Sequence, residues 1–322
     1  MSVTPLPQIA STAWEHPADR AALNTLRQLP GFDEVVRKVA GFFGERGLRH
    51  LFLANAVRTG PTQHPKLYHM LREVCAVLDV TSVPDLYVTQ TPLVNAGAIG
   101  FERPFIVINT GTIAALSDDE VRFVIAHEVG HIASGHMTYR TLAVIVSTIG
   151  FSALPFLAGL ALMPFQLALL EWSRKAELSC DRAALLGVQD TTVAMRTFFR
   201  LAGGSITPGE GDLDAFLRQA AEYESEGSAW DALLKAINTA LREHPFNTVR
   251  AAELQRWVAS GTYARIVGGE YPRRDGAGPQ QTYADDVRGA ADYYGQQARE
   301  TFGKVGDSFA RAADAFRRKA GG

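Results

Sequence analysis

The sequence is short of several things, and each shortage closes off a class of protein. Among 322 residues there are two cysteines, Cys75 and Cys180, too few for a disulfide framework. An excess of one charge is missing too: 32 Lys and Arg face 34 Asp and Glu, which leaves no electrostatic footprint for nucleic acid. The opening "MSVTPLPQIASTAWEHPADR" has no basic segment followed by an apolar run. No secretory signal is expected, and the cytoplasm is the expected compartment. Charge of either sign is absent from Thr141 to Leu170, a stretch broken by Gly150, Pro155, Gly159 and Pro164.

What is present reads as helices around a few strands. A hydrophobic content of 47% suits one large domain or two small ones. Residues 1–30, rich in Pro, Ala and Thr, are expected to form a loose arm with a short helix. Apolar spacing then predicts helices from Phe32 to about Val57 and over 64–80. Strands are expected at 85–90 and from 104, with a turn at Gly111. The fold class is therefore α+β, mainly helical, with a small antiparallel sheet beside the next helix.

That next helix is announced by Ser117 and by Glu120 three residues on, a capping box reinforced by Asp118 and Asp119. It carries "HEVGH". His127 and His131, four apart, share a helical face. Two imidazoles supply half of a zinc shell, and Glu128 can take a proton from a water whose pKa zinc lowers toward ~7. The extended pattern H-E-x-x-H-x-x-G-x-x-H is absent, because Ser134 and Gly135 precede a His136 that arrives one residue early. A third ligand must then come from a second helix. Glu177 in "ELSCD" is the candidate and Glu171 its rival. Asp181, one turn beyond Glu177, can accept from a ligand histidine and fix its tautomer.

Four motifs in order now carry a resemblance: "LVNAGAIG" (93–100), "HEVGH" with His136 following, "ELSCD", and "HPFNTVRAAEL" (244–254). Over roughly 64–258 the chain resembles the HtpX and CAAX prenyl protease type of zinc metallopeptidase. The resemblance implies a zincin-like catalytic domain, spanning 61–267, that cleaves polypeptides. It implies zinc held by His127, His131 and Glu177, with Glu128 as general base. Asn95, Ala96 and Gly97 would lie on a strand that pairs with extended substrate. His244 would steady the oxyanion or fill a fourth zinc position, and Arg250 would pair with carboxylates near the site. Protein quality control is the role implied. The alternative is a chaperone-like or scaffold protein that keeps a structural zinc and cleaves little.

The uncharged stretch is constrained by the same site. One membrane span would put Glu177 across the bilayer from His127, and two would need about 40 residues. Residues 141–170 must therefore turn back, as a shallow or peripheral hairpin on the inner membrane face or as a soluble hairpin on protein. Beyond a linker at 268–281, residues 282–322 form an amphipathic helix candidate for a membrane, its own domain or a second copy. The oligomeric state is left open. His136 reads as structural, Cys180 as a small buried hydrophobe, and His16, His50, His64 and His69 as bystanders.

Overall fold

A computed structural model describes residues 3–149, 156–204, 211–225 and 244–276. The C-terminal helix expected at 282–322, and the end of the linker before it, lie outside the described residues. In chain order come α1 (Pro17–Arg27), α2 (Phe32–Leu53), β1 (Ala56–Arg58), α3 (Pro65–Val77), β2 (Asp85–Thr89), β3 (Ala96–Ile99) and β4 (Phe105–Asn109). Then follow α4 (Thr110–Ala115), α5 (Asp118–Ala133), α6 (Met137–Ile149), α7 (Phe156–Val188) and α8 (Thr191–Leu201), with α9 (Leu213–Ser225), α10 (Asn247–Ala259) and α11 (Thr262–Val267) after them.

The mainly helical α+β class holds, but the sheet is mixed rather than antiparallel. Its order is β1-β2-β4-β3, with β2 and β4 parallel and the outer pairs antiparallel. The chain runs β3 along the far side of β4 before entering β4, so β4 returns in the direction of β2. Two of the four strands were not legible as strands from their residues. β1 is only three residues long, and β3, "AGAI", lacks the bulky β-branched run that marks a strand. Its place in the order makes β3 an edge.

Helix α5 begins where its capping box predicts, with Glu120 accepting from the Ser117 backbone N–H at 2.7 Å. It is buried all round from Ile125 to His131. Its main partner is α7, and two small-residue contacts set how closely they approach. A methyl built on Gly130 of α5 would lie 2.7 Å from the Ala183 methyl of α7, and one on Gly187 of α7 would lie 2.8 Å from the Ala126 methyl of α5. These reciprocal Gly–Ala contacts bring the two backbones together beside His127 and His131.

The N-terminal arm is not loose. Leu6, Ile9 and Trp14 are each about as buried as any core residue, at 1% exposure. The Leu6 N–H donates to Val77 O at 2.9 Å, and Ala10 N–H to Pro272 O at 2.9 Å. Arg274 reaches Ile9 O at 2.9 Å and also pairs with Asp79. The start of the expected linker thus clamps the arm against α3. The Trp14 indole N–H donates to Ser134 Oγ at the end of α5 at 3.0 Å. Composition suggested looseness because three anchors are spread thinly among Pro and Thr.

The described part of the uncharged stretch forms the facing portions of α6 and α7. Leu142, Ala143 and Leu169 are buried in a second core with Leu26 of α1 and Phe32 of α2. Among the described residues no helix is long and apolar enough to cross a membrane.

Candidate metal centre and active site

Helices α5 and α7 bring three donors to one point. His127 Nε2 lies 3.2 Å from Glu177 Oε2, and His131 Nε2 lies 3.1 Å from Glu177 Oε1. The two imidazole centroids are 4.9 Å apart. One ligand atom from each residue falls within 4.8 Å of the others, and all three residues are buried. The rival Glu171 is instead half-exposed and pairs with Arg174 and Lys175.

The donor chemistry suits a metal cation. Glu177 Oε2 and His244 Nδ1 are buried atoms without a hydrogen-bond partner, yet they lie 2.7 Å apart. One cation shared between an oxygen lone pair and a ring-nitrogen lone pair satisfies both. Burial would raise the Glu177 carboxyl, but His244 and His127 outweigh it and hold it well below the usual carboxylate range. Burial would likewise lower His127, but Glu177 and Asp181 raise it to about 9. His131 moves the other way, pushed down by burial and by the Arg140 guanidinium.

Asp181 Oδ1 lies 3.0 Å from His127 Nδ1. Since a carboxylate only accepts, Nδ1 carries a hydrogen, which leaves Nε2 as the nitrogen that would give its lone pair to a metal. Arg250 of α10 grips Asp181 with two bonds, Nε to Oδ2 at 2.9 Å and Nη2 to Oδ1 at 2.6 Å. Its guanidinium also stacks 5.0 Å above the Phe198 ring. The planar fork and the ring fix the carboxylate that fixes His127.

Glu128 reaches β3. Its Oε2 accepts the Ala98 N–H at 2.7 Å. Alternation along a strand turns Ala96 and Gly100 to the same outer edge as Ala98. Gly100 is tied there to the Thr141 hydroxyl, both N–H and C=O at 3.0 Å. Asn95 is exposed, and its backbone N–H and C=O both meet Thr112 Oγ1 at 2.7 Å. Gly97 faces β4 and Ala96 faces outward, so of these three residues Ala96 presents backbone to the cleft.

Two charged residues here were not singled out by sequence reasoning. Arg140 of α6 lies with Nη1 2.8 Å from His131 Nε2 and 2.9 Å from Glu177 Oε1, and Nη2 3.5 Å from Glu128 Oε2. The chain doubles back at Gly135, whose φ of +70° suits glycine, and this returns α6 over the site. The other is Asp19 of α1, buried against His136, Ser179 and Trp172. His16, read as a bystander, is also buried: it caps α1, accepting from Ala18 N–H at 3.1 Å, and faces Glu253 at 3.8 Å.

Comparison with known proteins agrees with this geometry. The profile of Peptidase family M48 matches residues 61–258. The chain is 34% identical over 260 residues to the plastoglobule-localized metallopeptidase 48, chloroplastic, of Arabidopsis thaliana, covering 79% of this chain and 74% of that protein. It is 29% identical over 103 residues to protease HtpX homolog 2 of Methanosarcina acetivorans, covering 31% of this chain and 35% of that protein. Protease HtpX homolog of Streptococcus thermophilus is 31% identical over 99 residues, 30% of this chain and 31% of its own length. No solved structure matches. Two histidines and a glutamate meeting across α5 and α7, inside a segment matched by that family, make the conclusion plain: the chain belongs to peptidase family M48, the HtpX-type metallopeptidases, and is a metalloprotease.

Proposed function

We propose that the protein is a zinc endopeptidase that cleaves extended polypeptide laid along β3, with Glu128 as general base. The observation that carries this is the Ala98–Glu128 hydrogen bond of 2.7 Å, which joins the edge strand to the residue between the two histidine ligands. His127, His131 and Glu177 would hold the zinc. When bound, zinc lowers the pKa of a water and polarises a carbonyl oxygen. The Glu128 carboxylate receives the proton of the attacking water and delivers it to the leaving amine nitrogen. Asp181 and Arg250 keep the His127 lone pair aimed. The close Glu177–His244 contact supports His244 at the fourth position of the resting site, a place it would yield to the attacking water.

Free backbone at Ala96 reads backbone, so specificity rests on few side-chain contacts. Leu93 and Val94, exposed at 69% and 47%, add an apolar lip beside β3. Such a site suits extended, unfolded segments of varied sequence, which supports a role in clearing damaged chains. For the 141–170 hairpin, burial of Leu142, Ala143 and Leu169 against α1 and α2 favours packing on protein over packing in lipid.

The test is Glu128→Gln. Casein cleavage should fall by about 10²- to 10⁴-fold, the usual worth of a general base, while bound zinc stays stoichiometric. Cleavage undiminished in the variant would remove Glu128 from the chemistry. Binding of unfolded casein without cleavage by wild type would favour the scaffold reading.

A further inference from the structure

A metal-binding imidazole has two nitrogens, and the one that does not bind must still be placed. For His131, Nε2 faces Glu177, so the hydrogen sits on Nδ1 when Nε2 gives its lone pair to a cation. That Nδ1 lies 3.3 Å from Nδ1 of His136. Two ring nitrogens at this range share one hydrogen, so His136 Nδ1 accepts and its own hydrogen sits on Nε2. His136 Nε2 lies 3.2 Å from Asp19 Oδ2, and a carboxylate only accepts. All three residues are buried. Each link therefore has one direction: His131 donates to His136, and His136 donates to Asp19.

Asp19 is itself held. The Trp172 indole N–H donates to Oδ1 at 2.9 Å, and the Ser179 hydroxyl donates to Oδ2 at 2.6 Å. The same hydroxyl accepts the His16 backbone N–H at 2.8 Å. Asp19 lies on α1, outside residues 61–258 that match the family. We infer that Asp19 is a positioning residue of the metal centre, which acts through His136 to fix the tautomer and ring orientation of His131. The inference rests on the metal reading of the previous subsection.

The chemistry of Trp172 supplies a sharp test. Its indole only donates, so in Asp19→Asn the amide oxygen must face Trp172 and the NH₂ must face His136. His136 Nε2 then has to accept, its hydrogen moves to Nδ1, and two N–H groups meet between His136 and His131. Zinc affinity of the full chain, measured by competition with a chromophoric chelator, should fall by about 10- to 100-fold, as for other groups that orient ligands. In Asp19→Asn with Trp172→Phe the amide is free to turn its oxygen to His136, and affinity should return to within a few-fold of wild type. Nitrogen chemical shifts of zinc-loaded wild type should show His136 protonated on Nε2.

A double variant weaker than Asp19→Asn alone would make Asp19 a packing residue and overturn the inference. So would His136 protonated on Nδ1 in zinc-loaded wild type, a reading that needs no variant to fold. Wild type that binds no zinc would instead overturn the metal reading, and the relay with it.

Discussion

Gly130 lies between the two histidines of the motif, and replacing it with alanine separates fold from site. The new methyl would sit 2.7 Å from the Ala183 methyl, where carbon contacts prefer about 3.5–4.0 Å. Helices α5 and α7 must therefore part by roughly 1 Å at this level. Overpacking of this kind costs about 1–3 kcal/mol, and the better helix propensity of alanine offsets about 1 kcal/mol of it. The net loss of stability is then about 0–2 kcal/mol, which a domain of ordinary stability survives. The proposed metal ligands are less tolerant. His131 is on α5 and Glu177 on α7, and metal–ligand distances hold to about 0.2 Å. A shift several times that size should weaken zinc binding by at least about tenfold, a loss of ~1.4 kcal/mol. Denaturant unfolding gives the first quantity and chelator competition the second. Adding Ala183→Gly removes the opposing methyl and should restore zinc affinity. A Gly130→Ala protein more stable than wild type with unchanged zinc affinity would refute the view that this contact sets the ligand spacing.

The remaining expectations concern charge. Arg140 shares His131 Nε2 and Glu177 Oε1 with the site a cation would take. Arg140→Met should therefore tighten zinc binding by about tenfold or more, the worth of one charge-assisted bond, and destabilise the protein once zinc is removed. Weaker zinc binding in this variant would show that Arg140 supports the ligand set instead. His16 tests the arm: burial first, and then Arg182, lower it from 6.5 to about 4, with Glu253 opposing and Lys175 adding a smaller push down. A folded-state value below the unfolded one means stability is complete above pH 6.5 and is lost as pH falls toward 4, worth roughly 3 kcal/mol. Glu253, held down to about 2 by His16 and Arg256 against the effect of burial, adds loss below pH 4.5. Unfolding free energies measured from pH 7.5 to 4 should show this slope, and His16→Asn should flatten it. An equal slope in the variant would place the acid sensitivity elsewhere.

How much of this was legible depended on whether the signal was local. The capping box at Ser117 and Glu120, and two histidines four apart, are read within one helix, and α5 starts where they predict. Glu177 was distinguished from Glu171 by Asp181 one turn on, a pattern also within one helix. The parallel β2–β4 pair was illegible because strand direction depends on where β3 lies, and β3 is made of Ala, Gly and Ile with no strand alternation. Arg140 is the last charge before the uncharged stretch, a visible signal, but its meaning needs the reversal at Gly135. Asp19 had no signal at all, since its partners His136, Trp172 and Ser179 are more than a hundred residues away.

The spacing that makes the motif useful also creates its structural demand. Two histidines one turn apart can turn both Nε2 atoms to one cation, and each Nδ1 then carries a hydrogen that calls for an acceptor. Each ring needs its own support. For His127 it is Asp181, one turn beyond Glu177 on the same helix and gripped by Arg250. The His131 ring has no carboxylate within direct reach of Nδ1 among the described residues, and the group beside it is another imidazole. A neutral imidazole that accepts on one nitrogen carries its hydrogen on the other, and in His136 that other nitrogen faces Asp19. The requirement is thereby passed outward to Asp19, on a helix that precedes the matched peptidase segment. This accounts for a Pro- and Thr-rich arm being held by Leu6, Ile9 and Trp14 as firmly as a core element: the arm carries the last acceptor of the His131 chain.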